Sequence, residues 1–189
     1  MTDRTLNGMR IAILATSGVE QVELTEPRKA LDQAGARTTL ISPKKQKIQG
    51  FNHFDKADQF TPEMSLDEAE AKDFDAVLLP GGALNADALR VEKKAQEIVR
   101  QIDESDKPIA FICHAPWLLV SSDLVDGRKL TSFHTIQDDI RNAGGEWIDK
   151  EVVLDDNWVS SRQPSDIPAF NRKMVDLFAE IHTKSRKVA

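Results

Sequence analysis

The chain has 189 residues, with 25 Lys plus Arg against 31 Asp plus Glu and a net charge of −6 with neutral histidine. That length suits one domain with a sizeable core, and the acidic balance, lacking any basic stripe, argues against nucleic acid as a partner. A single cysteine, Cys113, and the absence of tyrosine exclude an intrachain disulfide framework, cysteine-cluster zinc or iron–sulfur sites, and phenol acid catalysis.

The polar opening MTDRTLNGMR lacks the apolar stretch of a signal peptide. No apolar run is long enough to span a bilayer, so the expectation is a cytoplasmic protein that engages no membrane. Residues 9–15 (MRIAILA) form a short apolar run suited to a buried strand. Apolar positions at helical spacing follow over 22–34, and Gly35 supplies a stop. Residues 37–42 (RTTLIS) read as a strand, and the polar, lysine-rich stretch 43–58 as an excursion or small hairpin. A further buried strand over 74–79 ends at Pro80-Gly81-Gly82, and 92–104 is an amphipathic helix. Residues 108–112 (PIAFI) are a fourth apolar strand with Cys113 at its carboxyl end. Helices are expected over 115–122 and 136–143, the latter stopped by Gly144-Gly145. A hairpin turns at Asp155-Asp156-Asn157 between 151–154 and 158–161, and 167–182 closes the chain as an amphipathic helix.

Strands alternating with helices predict an α/β fold with a mostly parallel sheet covered on both faces. Ligands bind such sheets outside the strand carboxyl ends, which singles out the loops 16–22, 80–90 and 113–117. A lone cysteine is commonly a small buried hydrophobe. Cys113, however, sits between an apolar strand and a helix start with small Ala115 two residues on, the layout that holds out a nucleophile. A helix amino end and a protonated His114 would both favour thiolate, giving an expected thiol pKa below the free value of about 8.5.

His114 is the base candidate, although neighbours on a regular helix point roughly 100° apart, so a direct Cys–His bond needs a distorted turn. Glu20 and Glu23 flank the start of the first helix. There they complement its dipole, or one of them faces the Cys113 sulfur as a carboxyl of raised pKa. The Gly82 and His114 amides could together form an oxyanion hole. The histidines are scattered with no ligand spacing, so no metal is expected.

The segments ILATSGVEQVELTEP, AVLLPGGALNADALR, KPIAFICHAPWLLVSS and WVSSRQPSDIPAFNRKMVDLF together resemble the ThiJ/PfpI superfamily. Within it the likeness is to the PfpI-type intracellular peptidase and general stress protein branch. The resemblance implies one domain over 1–189 with its core at about 9–182. The fold implied is a flavodoxin-like three-layer sandwich similar to the class I glutamine amidotransferase core. It also implies Cys113 as nucleophile on a strained elbow, Glu23 as the glutamate that contacts the thiol, and Glu20 as a second acid in the pocket. His114 matches the branch's neighbouring histidine, and Asp87 the acid that orients it across a dimer interface, here on a loop one residue longer. The family's glycine after Cys-His is replaced by Ala115, beside bulky Trp117, which together point to a narrow pocket. A glutamine amidotransferase needs His-x-Glu downstream of its cysteine, and neither His134 nor His182 supplies it.

The implied protein is a cofactor-free, homo-oligomeric, cysteine-dependent stress-response enzyme. Its substrates would be reactive carbonyls and glycated protein (deglycase or glyoxalase chemistry) or peptides. The alternative is a redox sensor or chaperone-like protein whose Cys113 is oxidised to sulfenic or sulfinic acid without turnover.

Overall fold

The computed structural model describes residues 5–188. In chain order, β1 (Arg10–Leu14) leads through the two-residue β2 (Val19–Glu20) into α1 (Gln21–Gln33). Ala34 caps α1, and Gly35 then turns the chain at φ +94°, a conformation costly for residues with a Cβ. There follow β3 (Arg37–Ser42), a hairpin of β4 (Ile48–Asn52) and β5 (Asp55–Phe60), and the edge strand β6 (Met64–Ser65). Next come β7 (Ala76–Leu79), α2 (Ala83–Leu89), α3 (Lys93–Glu104) and β8 (Ile109–Ile112). The remainder comprises α4 (Pro116–Ser121), β9 (Lys129–Leu130), α5 (Gln137–Asn142), β10 (Glu146–Trp147), β11 (Val152–Asp155), β12 (Trp158–Ser161) and α6 (Ile167–Val188).

Seven strands form the central sheet in the order β11-β12-β8-β7-β1-β3-β6, all parallel except the β11/β12 hairpin. Alternation along each strand sends neighbouring residues to opposite faces. Ala12, Leu14, Val77, Leu79, Ile109 and Phe111 face one way, against Ile98, Val99 and Ile102 of α3 and Leu118 and Leu119 of α4. Ile11, Ile13, Ala76, Leu78, Ala110 and Ile112 face the other, against Leu24 and Leu31 of α1 and Phe170, Met174 and Phe178 of α6. Apolar side chains on both faces explain why the strands read as continuous hydrophobic runs. The architecture is the flavodoxin-like three-layer α/β sandwich that the sequence led us to expect.

Two expectations need correction. The stretch 80–90 is not all loop, because α2 occupies Ala83–Leu89. The closing helix runs on past residue 182 to Val188. The excursion over 43–58 does contain a hairpin, and β4 pairs with β2 just ahead of α1, which ties that hairpin to the mouth of the sheet. Among the described residues, no helix is long and apolar enough to cross a membrane.

Candidate active site

The carboxyl ends of β1, β7 and β8 lie side by side, and the chain leaves β8 directly into Cys113. Cys113 has φ +63°, the left-handed region that non-glycine residues avoid at a cost of about 1–3 kcal/mol. Its two backbone groups are both tied down. The N–H donates to the Ser161 carbonyl of β12 at 3.1 Å, and its carbonyl accepts from Phe133 N–H at 2.9 Å. The turn closes with the Ala115 N–H donating to the Ile112 carbonyl at 3.1 Å. These bonds hold the elbow in its strained form and leave the cysteine 7% exposed. The expectation of a distorted turn is met here, and the distortion has a consequence for the next residue.

Because the elbow departs from helical geometry, the His114 ring swings back over the thiol, with Nδ1 3.1 Å from Cys113 Sγ. The ring stacks on Phe133 with centroids 4.8 Å apart and meets Trp117 edge-on at 5.4 Å. Its far nitrogen, Nε2, lies 3.4 Å from Thr135 Oγ1. Burial, with a lesser contribution from His134, lowers the His114 pKa below the usual histidine value, so the ring is neutral at pH 7 and can accept a proton.

Glu23, in the first turn of α1, is fully buried beside the same sulfur. Its Oε2 accepts the Gly81 N–H at 2.9 Å, while Oε1 meets no partner at good hydrogen-bond geometry. Burial dominates its ionisation, interaction with Glu20 adds to it, and the pKa is pushed up to about 8. The carboxyl is therefore protonated at neutral pH. Gly81 makes this approach possible. A Cβ there would lie 2.5 Å from Glu23 Oε2 and 2.6 Å from Cys113 Cβ, closer than any side chain tolerates.

The thiol departs from its expected ionisation. Burial pushes Cys113 above the ordinary thiol value, and a charged Glu23 would push it further. The Gly82 and His114 amides, both directed at the sulfur, pull the other way without prevailing. Sulfur, carboxyl and imidazole are thus all neutral at rest, and charge appears when a proton moves between them.

A DJ-1/PfpI family model matches residues 9–177 of the chain. The chain belongs to the DJ-1/PfpI family. It is 42% identical over 169 residues to Deglycase PfpI of Pyrococcus furiosus, covering 89% of this chain and 99% of that one. It is 40% identical over 172 residues to General stress protein 18 of Bacillus subtilis, covering 90% and 98%. Among solved structures, a two-domain protein from Anabaena variabilis with DJ-1/ThiJ/PfpI-like and ferritin-like domains superposes with a TM-score of 0.84 at 31% identity. The match covers 89% of this chain and spans 47% of the length of that one.

The remaining candidate residues of this DJ-1/PfpI chain fall at different distances from the sulfur. Glu20 is the N-cap residue of α1, and its Oε2 accepts the His53 N–H from the β4–β5 turn at 3.0 Å. Of the two glutamates, Glu23 is therefore the one that interacts with the thiol, while Glu20 acts on it through Glu23 and braces the hairpin. Gly82, at φ +88°, turns its amide to the sulfur. Ala115 adopts ordinary right-handed helical angles and is buried in the core on the α3–α4 side. Asp87 is exposed on α2, and no hydrogen bond or ion pair among the described residues joins it to His114. Trp117 does border the site, held by Asp139 Oδ2 at 3.0 Å and overlaid by the Arg90 guanidinium at 5.2 Å.

Three contributors escaped the sequence reading. Asn85 is fully buried, and its amide donates to the Pro80 and Gly81 carbonyls at 3.0 Å each while its oxygen accepts the Thr16 N–H at 2.7 Å. It fastens two of the three site loops together, and a lone Asn in a supposed loop gives no sign of that. Phe133 and Thr135 reach His114 from a segment with no motif of its own. Among the described residues, no group of His, Cys, Asp and Glu gathers to hold a metal ion.

Proposed function

We propose that this chain is a stress-related deglycase that clears α-oxoaldehydes and their early adducts with protein amines, using Cys113 as nucleophile. The observation that carries the reading is a sulfur placed 3.1 Å from a neutral imidazole, beside a carboxyl whose pKa is pushed to about 8. Groups poised near neutral pH are what proton shuttling requires. Relatives named deglycase and general stress protein support the same reading.

In the first step the Cys113 sulfur adds to the aldehyde carbon, and the thiol proton passes to His114 Nδ1. The carbonyl π pair moves onto oxygen, where the Gly82 and His114 amides stabilise it. The protonated Glu23 carboxyl gives its proton to this oxygen, and the carboxylate so formed takes the thiohemiacetal C–H proton and delivers it to the adjacent carbonyl carbon. The His114 imidazolium protonates the second oxygen, the first oxygen returns its proton to Glu23, and a thioester remains with both groups neutral. Water opens the thioester to a 2-hydroxy acid and restores the thiol. With methylglyoxal the sum is methylglyoxal plus water giving lactate, so one carbon is oxidised and its neighbour reduced with no external electron carrier. With a carbinolamine adduct the attacked carbon is saturated: the sulfur displaces the amine as the C–N bond breaks, the thiol proton passes through His114 to the leaving nitrogen, and the resulting thiohemiacetal follows the same path.

Peptide hydrolysis would use the same thiol, but a sulfur on a residue only 7% exposed suits the end of a small carbonyl better than an extended backbone. The redox-sensor alternative would use the Glu23 carboxyl as a donor to an oxidised sulfur but gives the neutral His114 imidazole no proton to move. Self-association, which the resemblance implies, completes the proposal, with Leu84, 65% exposed on α2, and Phe54, 97% exposed at the hairpin tip, as the apolar side chains available to a second copy.

A peptide carrying methylglyoxal on lysine and arginine, followed by mass spectrometry, tests the reading. We expect recovery of the unmodified peptide at full length with wild type and none with Cys113→Ser. Shortened fragments would instead establish peptidase chemistry, and equal recovery with both proteins would overturn the role of Cys113.

A further inference from the structure

Glu20 lies between the loop that carries the oxyanion amide and the tip of the β4–β5 hairpin. Its N–H donates to the Gly81 carbonyl at 3.3 Å, and a Cβ on Gly82 would lie 2.6 Å from its nitrogen. Its backbone therefore rests against the glycine whose amide faces the sulfur. Its side chain reaches the hairpin, where Oε2 accepts the His53 N–H at 3.0 Å. That side chain is 12% exposed, and its Oε1 makes no hydrogen bond among the described residues.

The groups around this carboxylate leave its charge largely uncompensated. Glu23, Cys113 and His114 are neutral at pH 7. His53 Nδ1 lies 3.9 Å from Oε2 and opposes the carboxylate only when protonated. Lys56 stands on β5, one strand beyond the Phe51 that pairs with Glu20, and forms no ion pair with it among the described residues. The Arg90 guanidinium is engaged over Trp117.

In the reaction on a protein adduct, the nitrogen that leaves takes up the thiol proton and carries positive charge until the C–N bond breaks. An arginine adduct is cationic from the start. A free aldehyde or a thiol-borne hemithioacetal brings no such charge. A fixed negative charge beside the oxyanion loop stabilises the leaving nitrogen most as its proton arrives, which is the difference that favours reaction. The same charge opposes the oxyanion for every substrate alike, so that cost cancels between substrates. We propose that Glu20 is a specificity-determining residue, its carboxylate favouring adducts of amines and guanidines over free aldehydes and thiol adducts. The proposal rests on the deglycase reading above and names the substrate class within it.

Three small alkylating reagents of different charge test this at Cys113 without turnover: neutral iodoacetamide, anionic iodoacetate and cationic 2-bromoethylamine. Each loses its halide as the S–C bond forms. Rates at pH 7 are taken for wild type, Glu20→Gln, Glu20→Asp and Glu26→Gln, the last at an exposed acid further along α1. Dividing each charged reagent's rate by that of iodoacetamide cancels any change in the thiol itself, and glutamine retains an oxygen for the His53 N–H. One unit charge at the rim of a solvent-filled pocket corresponds to about a three- to tenfold effect on a charged reagent. In Glu20→Gln the iodoacetate ratio is expected to rise, and the 2-bromoethylamine ratio to fall, by that factor. Glu20→Asp, which keeps the charge, and Glu26→Gln are expected to stay within about twofold of wild type. Unchanged ratios in Glu20→Gln, equal changes in Glu26→Gln, or a Glu20→Asp that behaves as Glu20→Gln would overturn the proposal. The methylglyoxal-modified peptide supplies a second readout. Glu20→Gln is expected to lose about three- to tenfold more in peptide recovery than in consumption of free methylglyoxal, and equal losses would overturn the proposal. Failure of wild type to recover peptide removes the deglycase reading, whereas the alkylation ratios support or overturn the charge selectivity of Glu20 on their own.

Discussion

At Cys113 and Glu23 two buried acids share a small volume, and their protonation is set by neighbours a sequence does not order in space. Glu23 titrates near 4.5 when unfolded and at about 8 when folded. A carboxyl whose folded pKa is raised gives stability that is complete below pH 4.5 and is lost as pH rises through about 8. Glu23→Gln removes that loss. The variant is expected to outlast wild type by roughly 4 kcal/mol in chemical denaturation at pH 9, to show a flatter stability profile from pH 5 to 9, and to lose turnover. A profile parallel to that of wild type would mean that Glu23 is ionised in the fold.

The adjacency of Cys113 and His114 after an apolar strand was legible in the sequence, and so was a pair of acids at a helix start. That His114 reaches the sulfur was not, because it depends on φ +63° at a residue whose type does not demand it. The choice between Glu20 and Glu23 turned on a single helical step, which places one at the cap and the other inside the first turn. The thiol pKa was misjudged because a helix amino end and a charged histidine were weighed without the burial that outweighs them.

At the scale of elements, strands and long helices were readable because burial on two faces imposes long apolar runs and strong periodicity. Short α2 was not, since its buried face is made of Asn85, Ala86 and Leu89, too few and too mixed to form a stripe. The far end of the sheet shows how elements are fixed away from the chemistry. Asp103 of α3 accepts from Trp158 Nε1 at 2.6 Å and Asn157 Nδ2 at 3.0 Å, and Arg128 lies over the Trp158 ring at 3.9 Å. Asp103→Ala strands these donors and is expected to cost about 2–4 kcal/mol in denaturant melts. Because β8 and β12 run from this end toward Cys113, the alkylation rate of the folded variant should match wild type. A changed rate would couple the two ends of the sheet.

Over the whole molecule, two apolar faces of one parallel sheet bring the ends of β1, β7 and β8 together, so residues 23, 81–82 and 113–114 meet although they are distant in sequence. The same arrangement explains why one cysteine suffices. In the proposed reaction, sulfur, carboxyl and imidazole start neutral, and the nucleophile would form by moving a proton when a carbonyl arrives. The central claim is that this sulfur turns substrate over. Methylglyoxal consumption and lactate formation at pH 7 by wild type and by Cys113→Ser test it most directly. Loss of the nucleophile should lower the rate at least a hundredfold, with lactate matching the methylglyoxal consumed. Equal rates for the two proteins would contradict the account.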